Sequence, residues 1–215
     1  MSDKSGEGRL YPKNGGFEKL LSYQVAELLL DITARFIQKH IDPSSRTRDQ
    51  MEQAARSGSR NISEGSVFSA TSKKIEMNLT NVARASLVEL KKDYAAFLRQ
   101  RKLPLWPIPD PIRQELIDRR FKTVDEVAAW GADVRKRASE RSVQEIAGNI
   151  GHTYCMVAIG LLDRQMAAQA RDCKENGGFS EHLYKLRKQG LAEGKKPSPN
   201  PPEQKPEEPM GTAQQ

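Results

Sequence analysis

Aromatic residues are sparse in this chain, at 6% of 215 positions, and there are only two cysteines, Cys155 and Cys173. Two cysteines outside any CxxC spacing exclude a disulfide framework and fit a reducing compartment. No apolar run reaches membrane-spanning length, and the polar opening MSDKSGEGRLYPKNGG has no signal-peptide core. The cytoplasm is the expected location. GxxxxGK[ST], GxGxxG and GxSxG are absent, as is the Glu-x-x-His pairing of a di-iron bundle. Three histidines give no readable Ser-His-Asp set. His152, Cys155, Cys173 and His182 are of metal-ligating type, but their spacing fits no zinc module. The expectation is a non-enzyme without metal or cofactor.

What remains is leucine, isoleucine, valine and alanine at helical spacing, which gives an all-α class. The net charge is +7. Residues 191–215, dominated by Pro, Glu, Lys and Gln, are near neutral in sum, so the positive charge lies in the body. Such a body attracts polyanions, nucleic acid foremost.

Residues 1–15 read as a flexible lead-in. Residues 16–101 hold three bundle helices. The first, from about Phe17 to Ile41, carries two apolar stripes: Leu21, Val25, Leu28, Ile32 and Phe36, then Tyr23, Ala26, Leu30, Ala34, Ile37 and Ile41. A helix apolar on two sides needs two dry neighbours, and the second stripe is expected to meet another subunit. Asp42-Pro43 ends it. The second helix buries Met51, Ala55, Gly58 and Ile62, with Gly65 as its stop. The third restarts at Ser72 and runs to Arg101, with Ile75, Leu79, Val82, Ser86, Leu90, Tyr94 and Phe97 as its core face. Its weaker stripe of Met77, Arg84, Val88 and Ala95 repeats the doubling of the first helix.

Residues 102–140 form an insertion. The prolines of KLPLWPIPD forbid a continued helix, and Trp106 is expected to fold back as a lid. Two short helices follow, Pro111 to Arg120 and Thr123 to Ala138, the second with a Thr123–Glu126 capping box. The fourth bundle helix occupies 141–175, with Val143, Ile146, Ile150, Tyr154, Val157, Leu161 and Ala168 as its core and Gly148, Gly151 and Gly160 permitting close packing. Residues 176–190 form a short amphipathic segment, and the tail 191–215 is expected to be disordered. The whole is an up-down four-helix bundle with a helical insertion between its third and fourth helices.

One compound motif stands out: Asn61-Ile62-Ser63-Glu64-Gly65, then Ser72-Lys73-Lys74, then Ala83-Arg84-Ala85-Ser86-Leu87-Val88-Glu89-Leu90. It resembles the four-helix bundle family linked to intervening sequences in bacterial 23S ribosomal RNA genes, itself similar to the accessory protein of diversity-generating retroelements. Gly177-Gly178-Phe179 with Leu183-Tyr184 and Arg187 looks like a C-terminal suffix found in part of that family; Asn14-Gly15-Gly16-Phe17 matches it. The resemblance implies a homopentameric ring of basic bundles that contacts RNA, DNA or a reverse transcriptase, with no reaction of its own. The compact members lack residues 102–140.

The motif residues are Asn61, Glu64, Gly65, Ser72, Lys73, Ala83, Arg84, Ser86 and Glu89. Asn61, Glu64 and Arg84 either form an anion-binding or partner-binding ring or hold structure, Glu64 pairing with Arg60 and Arg84 reaching a carboxylate across a subunit boundary. The expected interface is Tyr23, Ala26, Leu30, Ala34, Ile37, Met77, Arg84 and Val88. The nucleic-acid candidates are Arg56, Arg60, Lys73, Lys74, Arg84, Lys91, Lys92 and Arg99, with Arg135-Lys136-Arg137 and Arg141 as a second patch. With few aromatics nearby, base stacking is not expected. The leading reading is a self-assembling scaffold; a protein-interaction module without nucleic acid is the alternative.

Overall fold

The computed structural model describes residues 16–69, 71–176 and 188, and every regular element among them is helical. A 3₁₀ turn at Phe17–Lys19 precedes α1 (Leu21–His40), α2 (Thr47–Phe68), α3 (Lys73–Gln100), α4 (Pro111–Arg119), α5 (Val124–Arg137) and α6 (Val143–Asn176). The lead-in 1–15, the suffix segment beyond Asn176 apart from Lys188, and the tail 191–215 lie outside the described residues. None of the described helices is long and apolar enough to cross a membrane.

The long helices pack in the cyclic order α1, α2, α3, α6, each against its two neighbours. Side chains span the diagonal. Phe36 on α1 meets Tyr94 and Phe97 on α3 edge-on, at 4.8 and 4.7 Å between centroids. The Tyr94 hydroxyl lies 3.0 Å from Thr33 Oγ1. Leu29, Met51, Ile62, Leu87, Leu90 and Leu162 complete a closed centre. Burying each large apolar side chain is worth roughly 1.5–3 kcal/mol.

Each seam of this four-sided ring also carries a polar clamp. Ser22 on α1 donates to Gln165 on α6 at 2.6 Å, and Ser59 on α2 donates to Glu27 on α1. Ser57 and Ser86 join α2 to α3 at 2.9 Å, and Gln169 on α6 donates to Thr80 on α3 at 3.1 Å. Apolar contacts tolerate sliding; directional bonds between fixed residues set the axial register.

The sequence places the helices well and some of their faces badly. Ser72 caps α3, and Thr123 with Glu126 forms the capping box of α5. Met51, Ala55, Gly58 and Ile62 are buried as expected. Gly65 does not stop α2, which continues to Phe68. Instead, a Cβ there would lie 3.3 Å from both the Glu76 carbonyl oxygen and Leu79 Cβ, so the position is small because α3 is close. The core face of α3 begins with Thr80, Ala83 and Leu87, leaving Ile75 and Val82 exposed. In α6 it includes the expected Ile146, Ile150 and Tyr154 and then runs through Cys155, Ala158, Leu162 and Gln169. Val143 and Ala168 are exposed there, and Val157 and Leu161 only half-buried.

The insertion is fastened to α6. Trp106 is buried; its backbone N–H donates to Asn149 Oδ1 at 2.8 Å and its indole N–H to Glu145 Oε1 at 3.1 Å. Asn149 returns its amide to the Pro104 carbonyl at 2.9 Å. Arg141 stacks over the Trp106 ring and bonds Asp110, which also caps α4. Trp106 thus folds back against the first two turns of α6, held there by a buried polar network.

Candidate interaction surfaces

The family-like motif lies on the α2–α3 and α3–α6 seams. Asn61 donates its amide to the Ser57 carbonyl at 2.8 Å and to Ser57 Oγ at 3.0 Å, and Ser57 bonds Ser86. Gly58 faces Leu87 with no room for a Cβ, and Ala83 is fully buried. Arg84 pairs with Asp163 on α6 of the same chain, so the carboxylate expected across a subunit boundary is intramolecular. Glu64 is exposed, and no ion pair joins it to Arg60 among the described residues. Glu89 holds Lys92 at 2.9 Å. Asn61, Ala83, Arg84 and Ser86 thus act on helix packing and register, whereas Glu64 and Glu89 stand on the surface.

The eight basic candidates divide evenly. Arg56 pairs with Glu52, Lys92 with Glu89 and Arg84 with Asp163. Lys73 reaches Asp172 at 3.1 Å and Glu76 at 3.4 Å. Burial pulls the Lys73 ammonium down, but these two carboxylates outweigh it and hold its pKa above the ordinary lysine value. Arg60, Lys74, Lys91 and Arg99 form no ion pair among the described residues; Arg60, Lys74 and Arg99 are exposed, and Lys91 is half-buried. In the second patch, Arg137 bonds Glu115 at 2.7 Å and Asp133 at 3.0 Å, Arg141 bonds Asp110 at 2.9 Å, and Arg135 bonds the Ser139 carbonyl at 2.6 Å. Only Lys136 of that run is without a charged or carbonyl partner among the described residues. Internal pairing leaves less free positive charge than the composition suggests.

The expected subunit face of α1 also changes. Ala26 and Ile37 lie in the chain's own core, so another subunit cannot reach them. Ile41 is buried with them. Tyr23 and Leu30 are half-buried against that core, and Ala34 is exposed. The two stripes are largely one wide arc, which α2 and α6 cover together. Met77 and Val88 are half-buried on α3.

A different apolar set is open. Val67 and Phe68 at the end of α2, and Ile75 and Val82 on α3, are 47, 41, 40 and 47% exposed. Ile75 and Val82 lie about two turns apart on one side of α3. Periodicity missed this set by assigning Ile75 and Val82 to the core.

The titratable interior offers little chemistry. Burial holds the Cys155 thiol well above its usual range, against ready formation of a thiolate. Burial, then the charges of Lys91 and Arg113, lower the His152 pKa to about 4. No group of three His, Cys, Asp or Glu residues suited to a metal ion exists among the described residues.

No family model, curated protein or solved structure matches the chain.

Proposed function

We propose that the chain is a non-enzymatic, self-assembling four-helix scaffold that engages nucleic acid, or a protein that works on nucleic acid, through basic residues on its surface. The observation that carries the assembly is the open apolar set Val67, Phe68, Ile75 and Val82 around the α2–α3 turn. Single exposed apolar residues are ordinary, but a group at one end of a bundle is the kind of surface that another chain covers. The resemblance of Asn61–Gly65 and Ala83–Leu90 to the ribosomal intervening-sequence family supports the same reading and would make the assembly a pentameric ring. Of the eight basic candidates, Arg60, Lys74 and Arg99 are exposed and outside any ion pair among the described residues, and repetition around a ring would multiply them. A cytoplasmic location suits its two unbridged cysteines.

The alternative, a protein-interaction module without nucleic acid, is favoured by the internal pairing of Arg56, Lys73, Arg84 and Lys92. Titration of generic RNA and DNA against salt separates the two. Binding at low salt that weakens steeply as salt rises supports the nucleic-acid reading; no binding at low salt leaves the protein module.

A further inference from the structure

Residues 101–110, RKLPLWPIPD, join α3 to α4. α3 closes with Lys102 in the left-handed region, at φ 56°, and with the Leu103 N–H donating to the Leu98 carbonyl at 2.9 Å. Pro104, Pro107 and Pro109 fix their own φ near −65°, and each biases the residue before it towards extended backbone. Those preceding residues are Leu103, Trp106 and Ile108, so only Leu105 of this run is unconstrained. Among the described residues, no backbone–backbone bond involves 104–106; the next one is Asp110 N–H to the Pro107 carbonyl at 3.2 Å. Extended backbone without internal bonds is the state of a polyproline II segment.

Burial has the matching period. Polyproline II turns once in three residues and so has three edges. Leu103, half-buried, and Trp106, buried, share the edge against the bundle. Pro104 and Pro107 share the second edge, about 9 Å apart, and both are exposed. Leu105 and Ile108 share the third, at 46 and 74% exposed. A strand would put Pro104, Trp106 and Ile108 on one face, which their burial contradicts. Asn149 pins the inner edge through the Trp106 N–H and the Pro104 carbonyl, so the two outer edges are presented on a fixed mount. Arg101 and Lys102 stand at the start of the loop, exposed and without a carboxylate partner among the described residues. Arg101 stacks on Phe97 and bonds the Phe97 and His40 carbonyls, which leaves Lys102 free.

We propose that this loop docks a partner protein that reads polyproline II through an aromatic-lined groove, with carboxylates at the groove's end that meet Lys102. The form of the loop decides the form of its partner. Pairing with a strand edge is closed to it, because prolines have no N–H and Asn149 already takes the Trp106 N–H and the Pro104 carbonyl. Flat aromatic faces pack on proline rings and on Leu105 and Ile108 without needing those groups. A segment already held extended loses little entropy on binding. A second copy of this chain does not fit the role: Phe68 is its one exposed aromatic among the described residues, so it has no aromatic-lined groove to offer. The inference holds whether or not the chain self-associates, because the loop is fastened to α6 and not to the open face of α2 and α3.

The test places the photo-crosslinker p-benzoylphenylalanine at position 105 of the full chain in its native cells. The cross-linked protein is identified with its cross-linked residue, purified, and titrated calorimetrically against the full chain. The expected partner is cross-linked within an aromatic-lined groove. Its affinity should fall about tenfold or more on Ile108→Glu and on Pro104→Ala combined with Pro107→Ala, and should also fall on Lys102→Glu. Circular dichroism checks the fold of each variant, and tryptophan emission checks that Trp106 stays buried. If the proline pair loosens Trp106, Ile108→Glu decides alone. No cross-link, a cross-link only to a second copy of the chain or to nucleic acid, or a partner indifferent to the variants overturns the proposal. So does a partner cross-linked on a strand edge or a helix with no aromatic groove.

Discussion

The Tyr94 ring occupies the space that a side chain at position 151 would need. A Cβ on Gly151 would lie within 3.0 Å of three ring carbons, and the ring is held by its hydroxyl contact to Thr33 and by Phe36. Helical glycine costs roughly 1 kcal/mol relative to alanine, and overpacking a core costs about 1–3 kcal/mol. Here overpacking should win: Gly151→Ala is expected to lower unfolding stability by about 1–2 kcal/mol. At Gly160 the nearest atom to a Cβ is Arg164 Nη1 at 4.0 Å. Gly160→Ala should therefore raise stability by up to about 1 kcal/mol. Urea midpoints of the two variants provide the contrast.

Asn149 holds the insertion to the bundle through Trp106 and Pro104. Asn149→Ala leaves a buried donor and acceptor unmet, each at a cost of about 1–3 kcal/mol. Hydrogen exchange at Trp106 should accelerate before the bundle helices open, and tryptophan emission should shift to the red. Unchanged protection at Trp106 would mean that the loop is held without Asn149.

His152 gives the pH dependence a direction. Its folded pKa, about 4, lies below the ordinary value of 6.5, so the unfolded chain binds a proton first as pH falls. The stability from keeping it neutral is full above about 6.5 and is lost between there and about 4. Burial also lowers the His40 pKa, adding a loss of the same sign. The urea midpoint should drop across that interval, and His152→Gln should flatten part of the drop.

Free and paired cations should behave differently in nucleic-acid binding. Lys74→Glu combined with Arg99→Glu is expected to weaken RNA or DNA binding and reduce the log–log salt slope by about two per chain. Arg84→Gln should change neither, because Asp163 already holds that guanidinium. Equal effects from both would show that the Arg84 pair opens in the complex.

Helix order, the insertion, the Ser72 cap and the Thr123 capping box were legible because caps, prolines and periodicity are local signals. Two core faces were legible only in part: Leu90, Tyr94 and Phe97 on α3 and Ile146, Ile150 and Tyr154 on α6 are buried as expected. α3 and α6 bury Thr80, Ala83, Cys155, Ala158 and Gln169, small or polar groups that hydropathy ranks below the exposed Ile75, Val82 and Val143. Close helix approach rewards small residues over greasy ones, and no single helix reveals how near its neighbour will lie. The same limit made Gly65 look like a stop rather than a contact. Arg84 and Asp163 are separated by 79 positions, beyond any local rule.

Self-association through α2 and α3 is tested most directly by sedimentation equilibrium of wild type and Val82→Glu across a wide concentration range. Val82 is 47% exposed, so the substitution should leave the fold of each chain intact. The expected result is an assembled wild type and a Val82→Glu variant that sediments as a single chain with unchanged helical circular dichroism. A wild type that remains a single chain at the highest concentration, or a variant that assembles as wild type does, would contradict it.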